Sequence, residues 1–193
     1  MKVVRFFVIV LLISMGMGFS SGDNYVLDKN YTVTIHGTSN HDDWDETVGK
    51  VTGSGSVNAN SDESIDLNSL HIIMEVNSIT SKSPVMTSKT VTALKGDIYP
   101  DINFTLAYPL KSIKAVTGGS SIYAKGTLFI AGVTKSVILL VKVTIPKSGT
   151  LLVEGSLAVR MTDYGITPPT ALFGMMTTGD MVTIHFKTNF VSL

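Results

Sequence analysis

The sequence predicts an all-β protein, built as an antiparallel sandwich or a closed barrel, with one short helix. Three observations support this prediction. Apolar and polar side chains alternate with a period of two in about eight segments, which is the pattern of half-buried strands. Turn-forming residues separate these segments at short intervals, as in other all-β folds. Helical spacing of apolar side chains appears in a single segment.

The alternating segments follow one another along most of the chain. In the first of them, Tyr31, Val33 and Ile35 share one face of the predicted strand. Gly53 and Gly55 would weaken a flat strand, so we expect a sharp bend or a bulge there. The predicted strands lie at residues 31–36, 48–57, 70–77, 102–107, 125–132, 137–144, 157–162 and 182–187.

Two of these strands are apolar on both faces. Residues 137–141 read VILLV, and residues 70–76 contain few polar side chains. A sandwich with one solvated face would alternate more cleanly. Either these strands lie beneath the helix or a long loop, or they belong to a barrel with an apolar interior and a covered exterior. The alternation along a strand shows only which residues share a face and not what covers that face, so both arrangements remain open.

The predicted helix covers residues 83–96. Ser83 is a suitable N-cap, Pro84 fits the first helical position, and Gly96 fits the C′ position after the last turn. The side chains that recur at helical spacing are Met86, Thr90, Val91 and Leu94.

Residues 1–21 read as a secretory signal peptide, which leaves residues 22–193 as one domain. Lys2 and Arg5 precede an apolar run that begins at Phe6, and small residues follow at Gly18 and Ser20. The apolar stretch is about fourteen residues long, whereas a membrane span needs about twenty. We therefore expect no membrane span after cleavage and a periplasmic or secreted protein; a retained anchor is the alternative. The sequence has no cysteine, which excludes disulfides, Cys-ligated metals and a lipid-modified N-terminal cysteine.

The charge of the predicted mature chain argues against nucleic-acid binding. Removing Lys2 and Arg5 from the 15 basic residues leaves 13 against 15 acidic residues, a net charge of −2. A near-neutral chain without a basic block lacks the electrostatic footprint of a nucleic-acid-binding protein.

The stretch HGTSNHDDWDE, residues 36–46, concentrates the residue types of metal sites and of acid/base catalysis. His36 and His41 are five positions apart on a segment that leaves a strand, which is not a zinc-binding spacing. The acidic run lacks the order of ligands in a calcium loop. Asp and Asn also favour turns, so we predict a turn in which Trp44 packs inside and the charged neighbours hydrogen-bond the backbone. The weaker alternative is an enzyme that uses His36, His41, Asp42 and Asp43.

Residues 161–180 form a long, partly apolar segment. Pro168 and Pro169 force an extended path, and apolar side chains follow at Leu172, Phe173, Met175 and Met176. Loops of this length are usually lids or binding segments. A lid over a binding site and a plug in one end of a barrel both remain open. No P-loop, dinucleotide-binding or nucleophile-elbow motif is present in the chain.

Four segments together resemble the YceI-like, polyisoprenoid-binding family. GTLFIAGVTKSVILLVKV resembles the family's G-V-T-K hairpin, and TALKGDIYPDINFTL resembles its Y-P segment. MTDYGITPPTALFGMMTTGDMVTIHF resembles the D-Y/F-G-I loop with the closing strand, and GTSNHDDW resembles the opening of one branch. The segment GTSNHDDW departs from the pattern of that branch of the family. Asp42 stands where a histidine is expected, and His41 comes one position early.

The resemblance implies a lipocalin-like, antiparallel eight-stranded β-barrel with a helix beside it. It also implies an exported binding protein, without established enzymatic activity, whose apolar lumen holds an isoprenoid chain such as a quinone tail. We expect no metal and no cofactor other than such a bound lipid. Whether the protein forms a homodimer is left undecided. The alternative is a structural or interaction barrel that takes no small ligand.

The candidate lumen residues are the inward-facing apolar positions of the strands, together with residues of the helix and the long loop that could close the mouth. The strand positions are Ile35, Leu70, Ile72, Met74, Phe104, Leu106, Leu128, Ile130, Leu139, Val141, Val159, Met161, Ile184 and Phe186. The mouth positions are Met86, Leu94, Phe173 and Met176.

Overall fold

The computed structural model describes residues 22–114, 116–146 and 149–193. The predicted signal peptide, residues 1–21, lies outside the described residues. Within the described ranges, no helix combines the length and the apolar character that a membrane crossing needs.

The described residues form thirteen strands and one α-helix. In chain order these are β1 (Asp23–Leu27), β2 (Thr32–Ser39), β3 (Trp44–Val48), β4 (Val51–Ala59), β5 (Ser64–Glu75), β6 (Ile79–Ser81), α1 (Pro84–Ala93), β7 (Asp101–Leu106), β8 (Leu110–Lys114), β9 (Ser120–Ile130), β10 (Val133–Thr144), β11 (Leu151–Arg160), β12 (Thr170–Ala171) and β13 (Met176–Ser192).

Eight of these strands close into an antiparallel barrel, which confirms the predicted fold class. The order around the barrel is β1, β4, β5, β7, β9, β10, β11 and β13. Pairing between β1 and β13 closes the ring, with Tyr25 opposite Ser192 and Leu27 opposite Phe190. Closure leaves no free edge in this ring, so all of its strands have hydrogen-bonded neighbours on both sides.

The two ends of the barrel differ. Strand β13 is long enough to pair with β1 through its C-terminal part and with β2 through residues 178–187. Strand β2 is followed by β3 and β6 in the sheet, and β6 leads directly into α1. We call the end that carries α1 and residues 161–175 the upper end, and the opposite end the lower end.

The bulge predicted at the glycines of β4 lies instead on the partner strand β5, because Gly53 and Gly55 pair in regular register and the unpaired residue is Asn68. The register shifts where Ser56 pairs with Ser69 and Val57 pairs with Leu67. At Gly53, a Cβ would lie 2.8 Å from Cδ1 of Ile72 and 3.1 Å from Cε1 of Phe190, so a larger residue there would have to shift these interior side chains.

Helix α1 begins as predicted but ends differently. The Ser83 side chain accepts a hydrogen bond from the backbone N–H of Met86, and Pro84 is the first helical residue. The left-handed position after the helix belongs to Lys95, with a φ of 55°, and not to Gly96. The Gly96 N–H donates to the Val91 carbonyl at 2.9 Å and the Lys95 N–H to the Thr92 carbonyl at 3.0 Å, which is a Schellman motif.

Glycine at position 96 is required by packing rather than by its φ angle. A Cβ there would lie 2.9 Å from Cγ1 of Val91 and 3.0 Å from Cγ1 of Val76. The prediction that Gly96 is the C′ residue is wrong, because the helix ends one residue earlier and Lys95 takes that position while Gly96 is C″.

The outer face of β10 also departs from expectation. Leu139 and Val141 face the interior and are buried, but Ile138 and Leu140 are exposed. Leu140 lies opposite the exposed Tyr123 of β9, so apolar side chains gather on the open outer surface. The expectation that both faces of this strand are covered is wrong, because α1 and the long loop lie at the upper end and not over β9 and β10.

Candidate functional site

Two adjoining cavities lie inside the barrel. The lower cavity has a volume of about 100 Å³, and the upper cavity has a volume of about 470 Å³. Ile184 of β13 lines both of them, so the two spaces meet at this residue. Only the upper cavity falls within the range of about 300–1,000 Å³ that is usual for small-molecule sites.

The lower cavity is almost entirely apolar. Its one polar wall residue is Thr188, whose hydroxyl donates to the Val153 carbonyl at 2.9 Å and therefore needs no ligand. Aromatic side chains from opposite strands, Phe104 and Phe186, reduce the free space. This half of the barrel is nearly filled by its own side chains.

The upper cavity has apolar strand walls and a cover made from the helix and the loop. Ile35, Ile130 and Val159 contribute to its walls, and Met86 of α1 and Leu94, the C-cap of α1, lie over it. The loop contributes several residues to the same cover, namely Met161, Ile166, Pro169 and Thr170.

Helix and loop are joined directly above this cavity. The Lys89 ammonium donates a hydrogen bond to the backbone carbonyl of Thr170. On the opposite side, the Asn40 side chain donates to the Met175 carbonyl at 2.9 Å and accepts from the Thr177 N–H at 3.0 Å. These contacts hold the loop against the mouth, where it serves as a lid over an upper space rather than as a plug that fills it.

The upper cavity reaches the surface beside the turn between β2 and β3. His41 and Asp42 line the cavity, and their side chains are largely exposed. Asp43 and Lys89 complete the set of charged side chains at the mouth. This end of the cavity is therefore polar and acidic, whereas its depth is apolar.

Residues 36–46 form a β-hairpin, as predicted, but Ser39 and not the charged side chains makes the side-chain to backbone hydrogen bonds of the turn. The Ser39 hydroxyl accepts hydrogen bonds from the backbone N–H groups of His41 and Asp42, at 3.2 and 3.0 Å. The Trp44 indole N–H donates to the Thr38 carbonyl at 3.1 Å. The ring lies against Gly37, where a Cβ would come within 2.1 Å of the indole, so glycine is needed for this packing.

The two histidines of this hairpin do not converge. His36 lies 2.9 Å from Asp45, and His41 lies 3.3 Å from Asp42, as two separate and partly exposed pairs. Among the residues that the structure describes, no group of three or more His, Asp or Glu side chains is arranged to hold a metal ion.

Glu46 is a buried carboxyl group in the wall of the upper cavity that sequence reasoning missed. It is 1% exposed, and its Oε1 accepts a hydrogen bond from the Thr90 hydroxyl of α1 at 2.7 Å. Its Oε2 is buried and has no hydrogen-bond partner. Burial raises the pKa of Glu46 above its ordinary value, and the hydrogen bond from Thr90 opposes that shift. Its burial could have been inferred from its position in the strand, because Glu46 lies two residues before the buried Val48 and therefore points to the same face of β3.

A sequence model of the YceI-like domain matches residues 25–190. The chain belongs to the YceI-like family. This confirms the resemblance inferred from the four sequence segments. No curated protein sequence matches the chain.

Solved structures confirm the fold of this YceI-like barrel. A polyisoprenoid binding domain from Saccharophagus degradans, implicated in plant cell wall breakdown, aligns with a TM-score of 0.69 and 14% identity, over 88% of this chain and 98% of that one. BcnA from Burkholderia cenocepacia aligns with a TM-score of 0.63 and 16% identity, over 82% and 95%. The YceI protein of Campylobacter jejuni aligns with a TM-score of 0.55 and 17% identity, over 77% and 84%.

The predicted lumen residues of this YceI-like chain divide between the two cavities. Their role in binding a ligand stays a prediction. The lower cavity alone is lined by Leu70, Ile72, Met74, Phe104, Leu106, Leu128, Leu139, Val141 and Phe186. The upper cavity alone is lined by Ile35, Met86, Leu94, Ile130, Val159, Met161 and Met176, and Ile184 lines both.

Phe173 is placed differently from the other seventeen candidates. Phe173 lines neither cavity, and its side chain is fully exposed. Its own backbone has a φ of 55°. Other wall residues were missed although their parity matched that of a chosen neighbour. Ile102 shares a strand face with Phe104, and Val182 shares a strand face with Ile184. Ile102 and Val182 both line the upper cavity.

Proposed function

We propose that this chain is an exported lipid-binding protein that holds an isoprenoid or other long-chain apolar ligand inside its barrel, in a carrier or storage role. The observation that carries the proposal is the upper cavity of about 470 Å³, with apolar walls and an opening at the surface. The printed description of the Saccharophagus degradans domain as polyisoprenoid binding supports the same ligand class. We further propose that the protein acts by binding and not by catalysis, in the periplasm or outside the cell.

The shape of the interior suits a chain with one polar end. Each CH₂ group moved from water into an apolar cavity contributes about 0.8 kcal/mol, so an extended tail needs few polar contacts. The tail would lie between the strand walls at Ile130 and Val159, and its polar end would face the mouth near Asp42. Because the lower cavity is small, a tail that continues past Ile184 must displace side chains there.

The lower half of the barrel also supports a second candidate function. Its cavity of about 100 Å³ is the space expected of a nearly filled core. A barrel whose upper cavity is likewise closed or collapsed in solution would be a structural or interaction module without a small ligand. The exposed Tyr123, Ile138 and Leu140 on its outer face would suit such a module.

The deciding experiment is organic extraction of the protein, purified without detergent from the compartment to which it is exported, followed by mass spectrometry. We expect a prenyl or acyl species in stoichiometric amount. The intact mass of the same sample tests removal of residues 1–21. The delipidated protein is then titrated with a twenty-carbon prenyl alcohol in a calorimeter. A folded barrel that yields no lipid and binds no prenyl alcohol would overturn the proposal in favour of the filled module.

A further inference from the structure

The unpartnered oxygen of Glu46 is unusual for a buried carboxyl group. Native structures rarely leave a buried acceptor without a donor, because its lost hydration is costly. Oε1 has the Thr90 hydroxyl at 2.7 Å, whereas Oε2 has no donor among the described residues. Glu46 pairs with Ile35 on the neighbouring strand β2, and both residues line the upper cavity. Glu46 borders the upper cavity, so a small turn of its carboxyl group would bring the covered Oε2 within reach of a donor in that space.

The charges around this cavity indicate what kind of group that donor is. The titratable side chains that line it are Glu46, His41, Asp42, Asp43 and Lys89. Three carboxyl groups thus face one ammonium group, and that ammonium already donates to the Thr170 carbonyl. A phosphate or carboxylate head group would meet like charge here, and it would offer Oε2 no proton. A neutral hydroxyl group both avoids the repulsion and donates a hydrogen bond.

We infer that Oε2 of Glu46 accepts a hydrogen bond from the hydroxyl head group of a neutral long-chain lipid, such as a prenyl alcohol or a hydroquinone. This inference rests on the proposed function and names the head group that the site selects. The apolar walls take the tail, and Glu46 sets the depth to which the head enters below the acidic mouth. The hydrogen bond from Thr90 orients the carboxyl group, so Thr90 is a positioning residue.

A purely structural role for Glu46 makes a different prediction. In that case the carboxyl group would only attach α1 to the barrel through Thr90, and any lipid would bind equally well with or without a hydroxyl group. The two roles separate because Glu46→Gln keeps an Oε1 acceptor for Thr90 but replaces Oε2 with an NH₂ group.

The test compares two ligands of equal chain length, geranylgeraniol and geranylgeranyl methyl ether, of which only the alcohol can donate a hydrogen bond. We expect the delipidated wild type to bind the alcohol about tenfold more tightly than the ether, the size of one hydrogen bond to a charged group. Glu46→Gln should reduce that ratio to about one. Thr90→Val should keep a preference for the alcohol even if the disturbed helix weakens both ligands.

Glu154→Gln is the matched control, since Glu154 is a partly exposed carboxyl group paired with Lys142 outside both cavities. This variant should keep the tenfold ratio. Equal binding of alcohol and ether by the wild type would overturn the role of Glu46 and leave the lipid-binding function intact. Failure of both ligands to bind would instead overturn the proposed function. Binding of geranylgeranoic acid as tight as that of the alcohol would also contradict the inference.

Discussion

The ring of Phe104 lies over Gly126 across the pairing of β7 with β9, so closely that a Cβ on Gly126 would come within 2.3 Å of Cε2 of Phe104. The absent side chain of the glycine gives the ring its place in the wall of the lower cavity. This packing limits how much of the barrel a ligand can enter.

Phe104→Ala should lengthen the ligand that the barrel accepts. Loss of the ring joins new space to the lower cavity, at a cost of about 3–5 kcal/mol in the free energy of unfolding. The measurement is the ratio of affinities for thirty-carbon and twenty-carbon prenyl alcohols, which should rise in the variant. Tyr123→Ala, which removes an exposed aromatic ring from the outer face of β9, should leave the ratio unchanged. An unchanged ratio in a folded Phe104→Ala protein would contradict the two-cavity description of the ligand's path.

Ala93→Phe should block the upper cavity. Ala93 lies on the face of α1 that lines this space, so an aromatic ring there occupies the volume meant for the ligand. We expect at least a tenfold loss of prenyl alcohol affinity, measured by calorimetry, with little loss of stability because the space is free. Thr92→Phe places the same ring on the exposed face of the helix and should bind like the wild type. Equal affinity in the two variants would show that the ligand does not occupy the upper cavity.

Glu46 should make the free energy of unfolding fall as the pH rises. Burial raises the pKa of Glu46 from its ordinary value of 4.5, so the folded state keeps a proton that the unfolded state releases. Stability therefore decreases as the pH rises from 4.5 through the raised pKa. Glu46→Gln cannot ionise, so its stability relative to the wild type should improve over that range and stay constant below it. Urea unfolding at a series of pH values measures this, and a difference that does not depend on pH would contradict it.

Asp66 should have the opposite effect. The backbone N–H of Ser112, the Lys111 ammonium and the Asn60 amide donate to its carboxylate and lower its pKa from 3.8 to about 2. Its contribution to stability is present above pH 3.8 and is lost as the pH falls towards 2. Asp66→Asn should therefore be less stable than the wild type at neutral pH.

The difference in stability between Asp66→Asn and the wild type should disappear as the pH falls from 3.8 to about 2. Acid unfolding followed by circular dichroism measures it. Asp97→Asn changes an exposed carboxyl group in the turn after α1 and serves as the control. A gap that persists at pH 2 would mean that shape and not charge makes Asp66 important.

Lys95→Gly should stabilise the end of α1. Lys95 holds a left-handed conformation that costs an ordinary residue about 1–2 kcal/mol, and the greater flexibility of unfolded glycine offsets part of the gain. We expect a net increase of about 1 kcal/mol in the free energy of unfolding, with Lys95→Asn between the two. Thermal unfolding of the three proteins measures the order, and a destabilised glycine variant would contradict this account of the helix end.

Several features of this protein follow from local sequence signals. Alternation with period two places Leu139 and Val141 on one face of a strand, and closure of the barrel turns that face inward. Ser83 and Pro84 set the start of α1 because capping involves only neighbouring residues. The polar residues around Ser39 determine a turn for the same reason.

Other features depend on how distant residues meet, and the tertiary structure alone decides them. Gly96 faces Val76, twenty residues away, so its purpose could not be deduced from the end of the helix. The division of the lumen depends on where rings such as Phe104 and Phe186 meet across strands, and parity carries no information on the volume left between them. Glu46 stood in a run of acidic residues typical of a turn, and only the closed barrel and the helix above it turned that carboxyl group into a buried acceptor.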